Sequence, residues 1–152
     1  MLFRSGSAPV IRALEEGLEY PEPVKPNTIA RSIAIGNPAD GFQVLQAVRA
    51  SGGSGAMVPD DEILDAVQLL AETEGIFTEP AGGTTVAATM RLIERGAIPR
   101  DESIVVCITG NGYKTAEVMQ DRIRRPVQLG RSLKEFEVFM NETSASSPVA
   151  QP

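Results

Sequence analysis

Apolar and polar positions along the chain alternate between helical and extended periods, with glycine and proline marking nearly every change. Ser7-Ala8-Pro9-Val10 predicts a helix start, a hydroxyl cap with proline in the first turn, and the helix should run through Leu14 and stop at Gly17. The prolines of Tyr20-Pro21-Glu22-Pro23-Val24-Lys25-Pro26 forbid helix and predict an extended linker. A short helix is expected over Thr28 to Ile35, ended by Gly36-Asn37-Pro38. A second covers Gly41 to Ala50, with Val44, Leu45 and Val48 on one face and Gly52-Gly53 behind it. Ala56-Met57-Val58 reads as a brief strand.

The clearest helical signal follows. Asp60 is placed to cap it, Asp61 and Glu62 suit its positive end, and Ile63, Leu64, Val67, Leu70 and Ala71 form an apolar stripe that Gly75 terminates. A strand Ile76-Phe77-Thr78 comes next, then the turn Glu79-Pro80-Ala81-Gly82-Gly83. A helix from Thr84 to Arg95 should turn Val86, Met90 and Ile93 inward and stop at Gly96. Ser103 to Ile108 lacks polar alternation, which predicts a strand buried on both faces. Thr109-Gly110-Asn111-Gly112 turns the chain into a helix from about Thr115 to Arg125, cut by Pro126. Beyond it only a helical patch around Leu133 to Phe139 is expected, and Asn141 to Pro148 is small and polar, the composition of a disordered tail.

Helix and strand in alternation imply an α/β fold built on a partial parallel sheet flanked by helices. Three short strands leave exposed edges and need cover on both faces, so the pattern suits a piece of a wider sheet. Residues 1–126 form the α/β segment and 127–152 a tail, partly helical and then disordered.

Composition narrows the chemistry. With 42% apolar and 22% charged residues over 152 positions, the chain has the make-up of one globular domain. Fourteen basic against twenty acidic side chains leave a formal charge of −6, which provides no electrostatic footprint for nucleic acid or an anionic membrane. No apolar stretch approaches the ~20 residues that span a bilayer, and Met1-Leu2-Phe3-Arg4-Ser5-Gly6 has no signal-peptide core, so a cytoplasmic location is expected. There is no histidine, which removes Ser-His-Asp and Cys-His units and histidine-ligated metals from consideration. The one cysteine, Cys107, lies in the apolar run Ile104-Val105-Val106-Cys107-Ile108 and is expected to be a buried, inert core thiol.

Two turns then stand out. Glu79-Pro80-Ala81-Gly82-Gly83 and Thr109-Gly110-Asn111-Gly112 each place a polar side chain at a strand end, followed by glycines. In open α/β sheets ligands bind outside the carboxyl ends of strands, and glycines let a flat or anionic ligand approach the backbone. Either motif alone reads equally well as a tight turn. Their joint occurrence favours a site without naming its ligand.

The residues also carry a resemblance. Ile33-Ala34-Ile35-Gly36-Asn37-Pro38-Ala39-Asp40-Gly41, Glu74 to Gly83 and Ile108 to Thr115 are similar, in order and separation, to the C-terminal third of the threonine synthase family. Gly6-Ser7-Ala8-Pro9-Val10 resembles an internal segment of that family, so the likeness covers about Gly6 to Arg125. It implies the C-terminal portion of the large domain of fold-type II pyridoxal-phosphate (PLP) enzymes, and conversion of O-phosphohomoserine and water to threonine and phosphate. By the same resemblance Thr109 pairs with the pyridine nitrogen of PLP through its hydroxyl. Such a neutral partner leaves the nitrogen largely unprotonated and moderates the electron sink. Glu79 is then expected near the same ring edge, Gly110, Asn111 and Gly112 shape the turn beside it, and Asn37 lines the substrate entrance or simply stops a helix before Pro38.

In the family the lysine that forms the internal aldimine lies well before the matched segment, as does the glycine-rich phosphate loop. Lys25, Lys114 and Lys134 are each expected to be solvated surface lysines. No catalytic residue and no metal ligand is therefore assigned to this chain. The chain reads as a fragment, a broken reading frame or one half of a split enzyme, inactive alone, with the N-terminal portion of a threonine synthase as its partner if the enzyme is split. A homo-oligomer, a non-catalytic interaction module, or part of another PLP lyase such as a serine or threonine dehydratase are the competing readings.

Overall fold

A computed structural model describes residues 2–4, 7–123 and 127–146. They fall into two compact units, one ending at Met119 and the other starting at Gln120.

In the first unit, β1 (Leu2–Arg4) pairs in parallel with β2 (Ala56–Val58), Leu2 opposite Ala56 and Arg4 opposite Val58. The crossover between them carries α1 (Pro9–Glu15) and α2 (Gly41–Ala50), which pack on each other around Val10, Ala13 and Leu45. Arg49 of α2 donates a 2.7 Å hydrogen bond to the Leu18 carbonyl and so ties that helix to the loop after α1. After β2 come α3 (Asp60–Glu74) and α4 (Pro80–Glu94). α4 packs against α3 and both strands. Ala56, Val58, Ile63, Ala66, Ala87, Ala88 and Leu92 form the main core there. Full burial of a residue such as Ile63 contributes about 1.5–3 kcal/mol.

Four glycines at positive φ, Gly17, Gly52, Gly75 and Gly96, close α1 to α4 as the sequence predicts. At Gly75 the reversal is explicit: its N–H donates to Ala71 at 3.1 Å and the Ile76 N–H reaches back to Leu70 at 3.4 Å, a left-handed cap that costs an L side chain strain.

Several expectations are corrected. Ser7 does not cap α1; Ala8 occupies that position, and the Ser7 hydroxyl is buried without a hydrogen-bond partner among the described residues. The helix expected over Thr28 to Ile35 is a single 3-10 turn, Arg31–Ile33. Local bonds compete with helix there: Ala30 N–H donates to the Thr28 hydroxyl at 2.8 Å, and Asp60 accepts from the Ile29 N–H at 3.4 Å. That is where the Asp60 carboxylate goes, and the cap position of α3 falls to Pro59.

α4 begins four residues earlier than expected, because Pro80 suits the first turn of a helix and Glu79 stands at its N-cap. Gly82 and Gly83 are helical and buried, not part of an open turn. The inward face also differs: Thr84, Ala87, Ala88 and Leu92 are buried, Val86 and Ile93 are partly covered, and Met90 is exposed.

The largest departures lie in the strands. Ile76 to Thr78 makes only an isolated antiparallel bridge, Thr78 to Asn111. Ser103 to Ile108 forms no strand, Val105 is 90% exposed, and Cys107 is exposed instead of buried. A strand needs a neighbour, and none of the described residues supplies one. The helix expected from Thr115 is a 3-10 helix over Gly112–Met119, broken at Thr115 (φ −140°, ψ 36°). Arg125 and Pro126, its expected end, lie outside the described residues.

In the second unit α5 spans Leu133–Ser146, so Asn141 to Ser146, expected to be irregular, are helical. Ser147 and Pro148 lie outside the described residues.

Gly83 sets the closeness of α3 and α4. A Cβ there would lie 2.6 Å from both the Ile63 carbonyl oxygen and Val67 Cγ2. Gly83→Ala should therefore destabilise the chain by about 1–3 kcal/mol, read as a lower urea midpoint. An unchanged midpoint would show that the two helices separate at no cost.

Candidate functional site

The two motif segments meet. Gly112 N–H donates to the Phe77 carbonyl at 3.0 Å and Glu79 N–H to the Gly110 carbonyl at 3.3 Å, the two backbone bonds that flank the Thr78–Asn111 bridge. The Thr78 hydroxyl, on a residue 1% exposed, donates to the same Gly110 carbonyl at 2.9 Å. Segments far apart in sequence are thus clasped by backbone and one buried hydroxyl.

Two glycines of this clasp leave room for side chains of the facing segment. A Cβ on Gly110 would overlap the Glu79 carboxylate, which lies directly over that backbone. A Cβ on Gly112 would come within 2.7 Å of the Phe77 ring. The ring also meets Tyr113 edge-on, centroids 5.4 Å apart at 82°. Asn111 shapes the turn as expected of an Asn, its side-chain oxygen accepting from the Tyr113 N–H at 2.9 Å.

Glu79, Gly110, Asn111 and Gly112 are therefore brought together, with Thr109 next to them in the chain and exposed. Asn37 is not part of the clasp; it is exposed at the bend before Pro38, where Gly36 sits against Val24 and Pro26. Gly82 packs against the Thr78 side chain from within α4, and Gly83 faces α3. Sequence reasoning missed Phe77 and Thr78, the residues that build the clasp. Their signal is faint: an aromatic and a hydroxyl residue just before Glu-Pro, the hydroxyl being the residue type that satisfies a carbonyl when buried.

These residues fit one edge of a planar heteroaromatic cofactor and not its remainder. Thr109 is exposed, and a hydroxyl can donate to an unprotonated ring nitrogen. Against this, Lys25, Lys114 and Lys134 are all exposed, and none lies among the residues of the clasp. Two cavities of this unit lie elsewhere. One of about 640 Å³ runs between α3 and α4, and one of about 470 Å³ lies beside Ile104 to Cys107. Among the described residues no group of three or more metal-ligating side chains occurs, and no helix is long and apolar enough to cross a membrane.

Comparison with known proteins shows what the chain as a whole is similar to. Threonine synthase of Methanocaldococcus jannaschii is 39% identical over 138 residues, 90% of this chain and 34% of that protein. The Methanosarcina acetivorans threonine synthase is 39% identical over 122 residues, 80% of this chain and 30% of that protein. The chain thus spans about a third of the length of these curated relatives. Among solved structures, Escherichia coli threonine synthase superposes with a TM-score of 0.62 at 16% identity, over 93% of this chain and 37% of that one. Maize serine racemase gives 0.54 at 19% identity, over 80% and 38%. At those identities the likeness is one of fold, and the fold is part of the α/β architecture of fold-type II PLP enzymes. Residues 4–110 match the family model itself, and the chain belongs to the family of pyridoxal-phosphate dependent enzymes.

Proposed function

We propose that this chain supplies the C-terminal part of a threonine synthase, the enzyme that converts O-phosphohomoserine and water to threonine and phosphate. The observation that carries the reading is 39% identity to a threonine synthase over 90% of the chain. PLP, when bound, supplies the electron sink for chemistry at the substrate's carbon atoms. The part played by this chain is narrower. Thr109 is the residue whose hydroxyl would hold the pyridine nitrogen, and Gly110 to Gly112, clasped to Phe77 and Thr78, would keep that hydroxyl in place. Glu79 lies over Gly110, beside that hydroxyl's turn. The remaining walls, with the lysine and the phosphate loop, come from the portion of a threonine synthase that this chain does not match.

On this reading the 152 residues by themselves hold no aldimine and release no phosphate. A stable PLP absorbance band that a single substitution at Lys25, Lys114 or Lys134 abolishes would sink it. Mixing the chain with the unmatched remainder of the Methanocaldococcus jannaschii threonine synthase should restore phosphate release from O-phosphohomoserine. Ammonia from serine or threonine, in place of phosphate, would assign the pair to a dehydratase.

In the restored enzyme Thr109→Ala should lower phosphate release by about tenfold or more, the worth of one hydrogen bond to the reacting system, while Thr109→Ser retains most of it. In the chain alone, urea unfolding should show Gly110→Ala coupled to Glu79→Ala by about 0.5 kcal/mol or more, because removing the carboxylate clears the space the new methyl needs. Strict additivity would mean that Glu79 does not rest on Gly110 in solution.

A further inference from the structure

Asn111-Gly112 is the one place in the sequence where asparagine precedes glycine, and it lies inside the clasp. The other asparagines precede Thr28, Pro38 and Glu142. The distinction is chemical. A glycine has no Cβ to shield its nitrogen, and its free backbone lets that nitrogen swing onto the side-chain carbonyl carbon of the residue before it. Asn111 is exposed, whereas Gly112 is buried. Two hydrogen bonds act on this pair in opposite senses. The Asn111 side-chain oxygen accepts from the Tyr113 N–H at 2.9 Å, a donor aimed at the atom that gathers negative charge when that carbonyl is attacked. The Gly112 N–H donates to the Phe77 carbonyl at 3.0 Å, which holds the proton that the nitrogen must lose before it can attack. The activating bond is local to the turn. The restraining bond exists only while the clasp is closed.

We propose that Asn111 is a modification site, which deamidates through its own backbone and is restrained by the closed clasp. In the open turn hydroxide takes the Gly112 proton, and the nitrogen attacks Asn111 Cγ. A bond forms between them and the bond from Cγ to the side-chain nitrogen breaks. Ammonia departs with a proton returned by water and leaves a cyclic imide. Water then adds to either ring carbonyl and opens the ring to aspartate or isoaspartate. No electrons change hands; amide and water become carboxylate and ammonium.

Either product works against closure. Each sets a carboxylate one residue from Gly110, over which the Glu79 carboxylate already lies, so like charges meet. Isoaspartate also lengthens the main chain by a methylene between the bridged residue and Gly112. The bonds from Glu79 to Gly110 and from Gly112 to Phe77, one on each side of the bridge, then no longer fit the same register. The turn that carries Thr109 is thereby released. This inference stands on the clasp alone and needs no ligand.

The test follows the full 152-residue chain at mildly alkaline pH over days, with aspartate and isoaspartate read site by site by peptide mass spectrometry. In guanidinium chloride Asn111 should convert fastest of the four asparagines. In buffer its conversion should be slower by about tenfold or more, because opening is rapid against the chemistry and the rate follows the open fraction. Exchange of the Gly112 N–H with deuterium needs the same opening, so its protection should match the slowing of deamidation within about threefold. Thr78→Val, which removes the hydroxyl that closes on the Gly110 carbonyl, should speed both by about fivefold. The exchange comparison needs no variant and decides the matter where Thr78→Val fails to fold. Three results would overturn the proposal: no conversion at Asn111 in guanidinium chloride, conversion as fast in buffer as in denaturant, or slowing that matches the slowest core amides instead of Gly112.

Discussion

The clasp between Phe77-Thr78-Glu79 and Gly110-Asn111-Gly112 is the constraint on which the candidate site depends. Its partners are 32 residues apart across the Thr78 to Gly110 bond. Closing a flexible loop of that length costs on the order of 3 kcal/mol. Three hydrogen bonds at about 1 kcal/mol each do little more than offset it. The net hold therefore falls to close packing: Phe77 against Gly112 and Tyr113, and Glu79 over Gly110. A Cβ at Gly112 would press into the Phe77 ring, and one at Gly110 would displace the Glu79 carboxylate. A Gly-x-Gly turn is thus structural here before it is functional, and Thr109 reaches its position as a consequence.

The same clasp orients α4. Glu79 ends the bridge and is also the N-cap of that helix, and its carbonyl accepts the Gly82 N–H at 2.9 Å and the Gly83 N–H at 3.2 Å. From there Gly83 lets α4 lie close on α3, and α4 covers the β1–β2 pair. The Arg91 side chain fastens the far end, pairing with Glu62 of α3 and donating to the Met57 carbonyl of β2. One helix therefore links the core to the functional edge, which is why the Glu-Pro-Ala-Gly-Gly stretch serves both.

What could be read from sequence was what local forces decide. α2 was legible to the residue because Gly41, the Val44-Leu45-Val48 stripe and Gly52 all act within a turn or two. α3 was legible for the same reason. The start of α4 was misplaced because the glycine pair read as a turn, though Pro80 at a first-turn position pointed the other way. At Thr28 to Ile35 the helix lost to hydrogen bonds that include the Asp60 carboxylate, 31 residues away from Ile29. The candidate site was legible as two separate turns, and the resemblance supplied their ligand. Their meeting was not, because it hangs on a buried Thr78 hydroxyl and a ring edge that no local pattern marks.

The strand expectation at Ser103 to Ile108 misses for a different reason. Strand propensity states what a segment can do once it has neighbours, and it is silent about whether they are present. The composition asks for a central strand, and the segment stands with Val105 exposed and no ladder. The family match ends at residue 110, just beyond this run, and the relatives are about three times longer. Sequence and structure therefore describe the same object from two sides. A segment composed for the middle of a sheet stands here without a ladder, beside α4 and just ahead of the Thr109 turn.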